Sequence, residues 1–188
     1  MRITGGRLGG RILKAPASRD IRPSADRLRE ALFNTLVHRP DNPLEGADVI
    51  DLFAGTGALG FEALSRGAAS VLFVDNGVEA RALLRANVEA LGVAGITRIF
   101  RRDATRLGEA PEPGRFRLAF LDPPYGRELA PAALRALRDG AWLAPGALAI
   151  IEESADVTLE LPDGFKLEQR RVYGDTQVVL AAFTGANL

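Results

Sequence analysis

The 188-residue sequence has no cysteine and a single histidine, His38. These absences exclude disulfides and thiolate metal sites, and they leave no histidine cluster for zinc or for a nucleophile–histidine–acid triad. No metal-dependent mechanism is expected. No apolar run approaches the roughly 18 residues of a membrane-spanning helix, and no apolar stretch follows the opening Met1-Arg2-Ile3-Thr4-Gly5-Gly6. Neither secretion nor membrane insertion is indicated, and a cytoplasmic location is expected. Lysine is scarce too: among 24 basic residues only Lys14 and Lys166 are not arginine. Genomic base composition produces such a bias as readily as a preference for guanidinium–phosphate contacts.

Net charge is also absent, because 24 acids balance the 24 basic residues, yet the balance is uneven along the chain. Residues 1–40 hold Arg2, Arg7, Arg11, Lys14, Arg19, Arg22, Arg27, Arg29 and Arg39 against Asp20, Asp26 and Glu30, a net +6, which leaves −6 for the rest. A compact basic end suits phosphate contacts, although a solvated basic arm with no partner has the same composition. Gly5, Gly6, Gly9 and Gly10 favour a hairpin or a flexible arm able to follow an RNA backbone.

A hydrophobic content of 47% over this length predicts one globular domain with a full core. Ser24 is placed to cap a helix that has Asp26 in its first turn and Leu28, Leu32 and Leu36 on one stripe. His38 falls at that helix's end, without a chemical role. Strand and helix signals then alternate over 47–53, 58–67, 70–75, 77–91, 96–101, a short piece near 104–108, 117–122, 128–140 and 147–153, which predicts a parallel sheet. The runs Phe165 to Tyr173 and Gln177 to Phe183 flank Gly174-Asp175-Thr176 and read as an antiparallel hairpin. Trp142 and Phe183 are expected in the core.

Two motifs carry chemistry. In the first, the apolar run Val49-Ile50-Asp51-Leu52-Phe53 enters Ala54-Gly55-Thr56-Gly57-Ala58-Leu59-Gly60, a strand, a glycine turn and a helix start suited to a nucleotide cofactor. Gly55, Gly57 and Gly60 match G-x-G-x-x-G, and Asp75 ends another apolar strand, so a dinucleotide reading competes. Asp51 weighs against it: an acid inside the first strand repels a pyrophosphate but suits the ammonium of a methionine moiety. Asp103, after Ile99-Phe100, is placed to accept from an adenine amine.

The second motif is Asp122-Pro123-Pro124-Tyr125, closing the buried run Leu118-Ala119-Phe120-Leu121. An exocyclic amine conjugated with a nucleobase is a poor nucleophile. The Asp122 carboxylate and the Pro123 carbonyl can each accept one of its N–H groups and favour a pyramidal nitrogen, while Pro124 stiffens the turn and Tyr125 stacks on the base. Asp-Pro-Pro alone is equally an ordinary strand-end turn.

Together, the glycine loop, Asp75, Asp103 and Asp122-Pro123-Pro124-Tyr125, in that order, resemble the class I S-adenosylmethionine-dependent methyltransferases that act on amino nitrogens, over about residues 47–153. The first forty residues extend the likeness. Arg2-Ile3-Thr4-Gly5-Gly6, Gly10-Arg11-Ile12-Leu13-Lys14 and the stretch from Arg22-Pro23-Ser24 through Asp26-Arg27-Leu28-Arg29-Glu30 to Leu32-Phe33-Asn34 are similar to the RsmD family, whose enzymes methylate the N2 amine of a guanine in small-subunit ribosomal RNA. Ser24, where the family usually has threonine, is a departure that preserves capping.

The resemblance implies an α/β, Rossmann-like class I methyltransferase: a mostly parallel seven-stranded sheet with an antiparallel C-terminal hairpin strand, helices on both faces and a basic N-terminal hairpin and helix. It assigns residues 1–40 to RNA binding and 41–188 to the catalytic domain. It implies S-adenosyl-L-methionine held by Asp51, Phe53, Ala54, Gly55, Gly57 and Leu59, by Asp75 and Asn76, and by Asp103 and Ala104. Catalysis falls to Asp122, Pro123, Pro124 and Tyr125, and RNA contact to Arg7, Arg11, Lys14, Arg22 and Arg27. The implied substrate is ribosomal RNA in an assembled particle, its guanine extruded for direct in-line methyl transfer. Methylation of adenine N6 or of a protein glutamine is the rival within the enzyme class, and a non-catalytic RNA-binding module the rival outside it.

Overall fold

Short apolar runs between glycine-terminated helices produce strands covered on both faces. The computed structural model describes residues 1–16 and 23–185. The strands are β1 (Asp48–Leu52), β2 (Ser70–Val74), β3 (Thr97–Phe100), β4 (Phe116–Leu121), β5 (Leu143–Ser154), β6 (Phe165–Tyr173) and β7 (Thr176–Phe183). The helices are α1 (Pro23–Val37), α2 (Ala58–Ser65), α3 (Val78–Leu91) and α4 (Leu129–Asp139). The seven strands form one sheet in the order β3-β2-β1-β4-β5-β7-β6. All pairings from β3 to β5 are parallel, and β7 runs antiparallel to both β5 and β6. This is the α/β class I methyltransferase architecture, including the reversed hairpin.

Strand order reverses direction between β1 and β4, and a crevice opens beyond the carboxyl ends of strands at such a switch point. The glycine loop leaves β1 there, and Asp122 leaves β4 beside it. Residue parity sorts the side chains into two layers. Val49, Phe73, Leu118, Phe120 and Ile150 pack with Phe33, Leu36, Phe61 and Leu84 on one face. Ile50, Leu52, Leu121 and Ile151 pack with Ala133, Leu134, Leu137 and Trp142 on the other. Trp142 is fully buried and donates its indole N–H to the Gly108 carbonyl at 2.8 Å, and Phe183 packs on Phe165 with ring centroids 5.2 Å apart. His38 follows the last turn of α1, its Nδ1 2.7 Å from the Asn34 carbonyl. Among the described residues no helix is long and apolar enough to cross a membrane.

Two expectations need correction. The piece near 104–108 forms only turns, because Gly108, Pro111 and Pro113 deny a helix its geometry and donors. The segment instead buries Ala104, Leu107 and Ala110, and is pinned by Ala110 N–H on the Gly140 carbonyl and Gly114 N–H on the Ala141 carbonyl. β5 begins at Leu143 rather than 147 and carries Pro145 and Gly146 in a bulge, visible as a register shift opposite Phe116 and Leu118. A proline and a glycine there read as a break in sequence, whereas a bulge accommodates both.

The glycine-rich arm is a docked clasp. Arg2 bridges Ile12 in antiparallel fashion, and Ile3, Leu8 and Leu13 join the core layer of Phe33 and Phe61. A Cβ on Gly6 would lie 1.9 Å from the Ser65 carbonyl oxygen, so this glycine permits close approach to α2. Glu62 of α2, fully buried, holds the arm: it accepts from Thr4 N–H at 2.9 Å, Thr4 Oγ1 at 2.6 Å and Gly5 N–H at 3.1 Å. Arg66 donates to it at 2.8 Å, and Arg29 pairs with it at 3.5 Å. Removing a buried carboxylate leaves two cations and the arm's N–H groups uncompensated. Glu62→Ala is therefore expected to lower unfolding free energy by about 3–5 kcal/mol in urea titrations. An unchanged midpoint would contradict that role.

Candidate active site

The crevice is built by three strand ends. Gly57, at φ 81°, is the residue before α2 and caps it with no side chain, so the helix's first N–H groups need another acceptor. Asp51 supplies it from beneath, its Oδ2 accepting from Gly60 N–H at 3.0 Å. Gly60 lets the helix approach this closely, since a Cβ there would lie 2.4 Å from the Phe73 ring. Gly57 is similarly confined, by Phe61 and Leu84, whereas a Cβ on Gly55 would meet nothing nearer than the Phe53 carbonyl at 3.9 Å. The open side of the loop is thus at Gly55. Phe53 takes a positive φ of 57°, unusual for an aromatic and typical of strained functional turns. Phe53, Ala54 and Leu59 are partly buried, and Ala54 N–H reaches the Val74 carbonyl at 3.2 Å.

Asp75, ending β2, ties the loop to the next turn: Oδ2 accepts from Gly55 N–H at 2.9 Å and Oδ1 from Gly77 N–H at 2.7 Å. Buried Arg81, which sequence reasoning missed, braces that turn by donating to the carbonyls of exposed Asn76 at 2.6 Å and of Gly77 at 2.9 Å. Asp103 lies three residues beyond the end of β3, exposed, accepting from the N–H and hydroxyl of Thr105, which hold its carboxyl below the usual carboxylate range. Ala104 behind it is buried.

Across the switch point, Asp122 is exposed, Pro123 buried, Pro124 exposed, and the Tyr125 side chain half-open. The Tyr125 hydroxyl donates to Glu152 Oε1 at 2.7 Å and lies 3.5 Å from Thr176 Oγ1. Burial, then the Glu152 contact and the charge of Asp122, push the phenol upward, so it stays a donor. Gly126 N–H donates to buried Glu153 at 3.1 Å, as does Ser154 N–H at 2.8 Å. β5 therefore grips the Asp-Pro-Pro-Tyr turn through Glu152 and Glu153. Sequence reasoning overlooked both, although a fifth strand ending in acids was there to be noticed.

Electrostatics shows that the acids converge. Burial drives the Asp51 carboxyl well above the usual range; the Gly60 hydrogen bond opposes this, and the charges of Asp122 and Asp75 raise it further. The basic residues lie elsewhere. Arg7 Nε donates to the Leu64 carbonyl at 3.3 Å and Arg11 to the Ala90 carbonyl at 2.5 Å, each a cation on a helix carboxyl end. The backbone of Lys14 pairs with buried Asn87, whose amide also donates to the Thr56 carbonyl of the glycine loop at 3.0 Å. Arg27 lines a groove with Arg2, Asp26 and Glu30. Arg22 lies outside the described residues, as does the Ser24 side chain. A separate cavity of about 160 Å³, lined by Ser70, Thr97 and Phe116, sits at the amino ends of the strands, away from the acids.

The raised Asp51 value means that the ionised carboxylate destabilises the fold. That cost is complete above the folded-state value and fades as pH falls toward the unfolded value of about 3.9. Asp51→Asn keeps an acceptor for Gly60 and removes the charge. In thermal melts of the ligand-free protein it is expected to raise the midpoint at neutral pH by at least about 2 °C, the gain shrinking toward about pH 4. A lower midpoint at neutral pH would contradict the account.

A family model described as Conserved hypothetical protein 95 matches residues 1–182. The ribosomal RNA small subunit methyltransferase D of Escherichia coli K12 is 36% identical over 176 residues, covering 93% of this chain and 85% of that protein. A solved Escherichia coli structure, yhhF, named there as a candidate methyltransferase, superposes with a TM-score of 0.82 at 33% identity over 98% of both chains. At 16% identity, an S-adenosylmethionine dependent methyltransferase from Mesorhizobium loti shares the fold with a TM-score of 0.61, over 85% of this chain and 97% of that one. The chain belongs to the Conserved hypothetical protein 95 family, the RsmD family, to which its N-terminal and Asp-Pro-Pro-Tyr motifs pointed.

Proposed function

We propose that the chain is a cytoplasmic methyltransferase that transfers a methyl group from S-adenosyl-L-methionine to the exocyclic N2 amine of a guanine in small-subunit ribosomal RNA within an assembled particle. The relatives named ribosomal RNA small subunit methyltransferase D support ribosomal RNA as the substrate class. The observation that carries the chemistry is that the charges of Asp122 and Asp75 both fall on buried Asp51 at the switch point. Such a site repels a pyrophosphate and fits a cofactor carrying a sulfonium and an ammonium.

When bound, the cofactor supplies an electrophilic methyl carbon. In this reading Asp51 faces the ammonium, Asp75 the ribose hydroxyls and Asp103 the adenine amine. Phe53, Ala54, Gly55, Gly57 and Leu59 shape the loop, and Asn76 and Ala104 flank the adenosine. Asp122 and the Pro123 carbonyl each accept one hydrogen of the target amine, leaving its lone pair free for in-line attack. Pro124 fixes the carbonyl, and the exposed Tyr125 ring stacks on the extruded base. Asp122 or water takes the proton lost after alkylation. Residues 1–40 form the RNA-binding extension through Arg7, Arg11, Lys14, Arg22 and Arg27, and residues 41–188 the catalytic domain.

Small-subunit particles from a strain lacking the gene, incubated with tritiated cofactor, are expected to yield labelled N2-methylguanosine on nucleoside analysis. Labelled N6-methyladenosine would overturn the guanine reading. Asp122→Ala is expected to lower kcat by at least about 100-fold with cofactor affinity nearly unchanged, measured by single-turnover kinetics and calorimetry. A near-normal kcat would remove Asp122 from the chemistry. Replacing both Arg7 and Arg11 by glutamine should weaken RNA binding and reduce the log–log salt slope by about 2, without altering cofactor affinity. An unchanged slope would take the arm out of the interface.

A further inference from the structure

The carboxyl rim of the sheet holds a second acid level with Asp122. β4 and β5 are parallel and their last pair is Leu121 with Ile151, so Asp122 and Glu152 each follow that pair at the carboxyl ends of neighbouring strands, whose spacing is about 4.8 Å. The Tyr125 hydroxyl, donating to Glu152 Oε1 at 2.7 Å, fixes this carboxylate at the edge of the ring whose face is proposed for the base. A carboxylate keeps acceptor sites beyond the one that Tyr125 occupies.

The nucleobase edges differ at this point. Guanine presents its N2 amine beside the N1–H, two donors in a row. Adenine presents its N6 amine beside N1, a bare acceptor. A pair of adjacent carboxylates complements the first pattern and repels the second.

Resting on the guanine reading above, we propose that Glu152 is a specificity-determining residue that accepts the guanine N1–H while Asp122 and the Pro123 carbonyl hold the N2 amine. Burial holds its carboxyl above the ordinary range, opposed in part by the Tyr125 hydrogen bond and the positive charge of Arg29. Arg29 is itself buried, and is anchored by Asp26 at 2.9 Å and by the Arg2 carbonyl at 2.6 Å. A residue that served only to orient Tyr125 would be indifferent to the atoms at position 1 of the base, so the two roles separate experimentally.

The test uses small-subunit particles reconstituted with ribosomal RNA that carries, at the methylated position, either guanine or 2-aminopurine, which keeps the N2 amine but lacks the N1–H. Wild-type enzyme is expected to have kcat/KM at least about 10-fold lower on the 2-aminopurine particle. Glu152→Gln preserves an acceptor for Tyr125 but turns an amide donor toward N1–H. It should lose about 10- to 100-fold on guanine, with the difference between the two particles falling to within about threefold and cofactor binding unchanged. Equal wild-type rates on the two particles would overturn the proposal without need of a variant. So would a Glu152→Gln loss of the same size on both, which would mark Glu152 as a support for Tyr125 alone. Wild-type methylation of an atom other than N2 on the guanine particle would overturn the guanine reading, and the Glu152 assignment with it.

Discussion

A carboxylate with almost no access to solvent, Asp51, lies under the amino end of α2, and the arrangement of the crevice depends on it. A buried charge is costly unless something compensates it. The Gly60 N–H and the positive end of a helix supply part of that compensation. Like charges at Asp122 and Asp75 work against it. The ligand-free fold therefore stores an unfavourable negative field at its switch point. Under the proposed function, the cationic cofactor would relieve that field, so that stability given up in the empty protein would return as affinity.

A similar linkage joins the basic arm to the glycine loop. Glu62 holds Thr4 and Gly5 against α2, the helix that begins at the glycine loop. Asn87 bonds to the backbone of Lys14 and to the Thr56 carbonyl within the loop. Arg29 links the Arg2 carbonyl to Glu62 and projects its charge onto Glu152 at the acceptor rim. The arm is part of the packed body, with Ile3, Leu8 and Leu13 in the same core layer as Phe33 and Phe61. Its arginines consequently serve two ends, closing helix carbonyls and presenting charge to solvent.

Much of the fold was legible because its signals are local. Val49 to Leu52 and Leu118 to Leu121 are apolar runs short enough to be strands, and Gly92 stops α3 in a left-handed conformation. The Gly174-Asp175-Thr176 turn announced the β6–β7 hairpin for the same reason. The failures were equally physical. The stretch from Arg101 to Arg115 holds a buried leucine and alanines without helical geometry, because its partners are the carbonyls of Gly140 and Ala141 and the indole N–H of Trp142, which donates to the Gly108 carbonyl. The bulge at Pro145 and Gly146 looked like a strand boundary. Glu152 and Glu153 went unnoticed because nothing local distinguishes a rim acid that grips a neighbouring strand's turn from one that faces water.

The sequence by itself determined the alternation of elements, the glycine loop, the acids at successive strand ends and the Asp-Pro-Pro-Tyr turn, since each rests on backbone geometry over a few neighbouring residues. Only the tertiary structure decided which acids share a field, that Asp75 holds the glycine loop, that Asp51 substitutes for a missing helix cap, and that Tyr125 is fastened to Glu152. Those relations join residues 9 to 71 positions apart, brought together by the strand order at the switch point. Charge coupling depends on distance through space, and the order of strands in the sheet sets that distance.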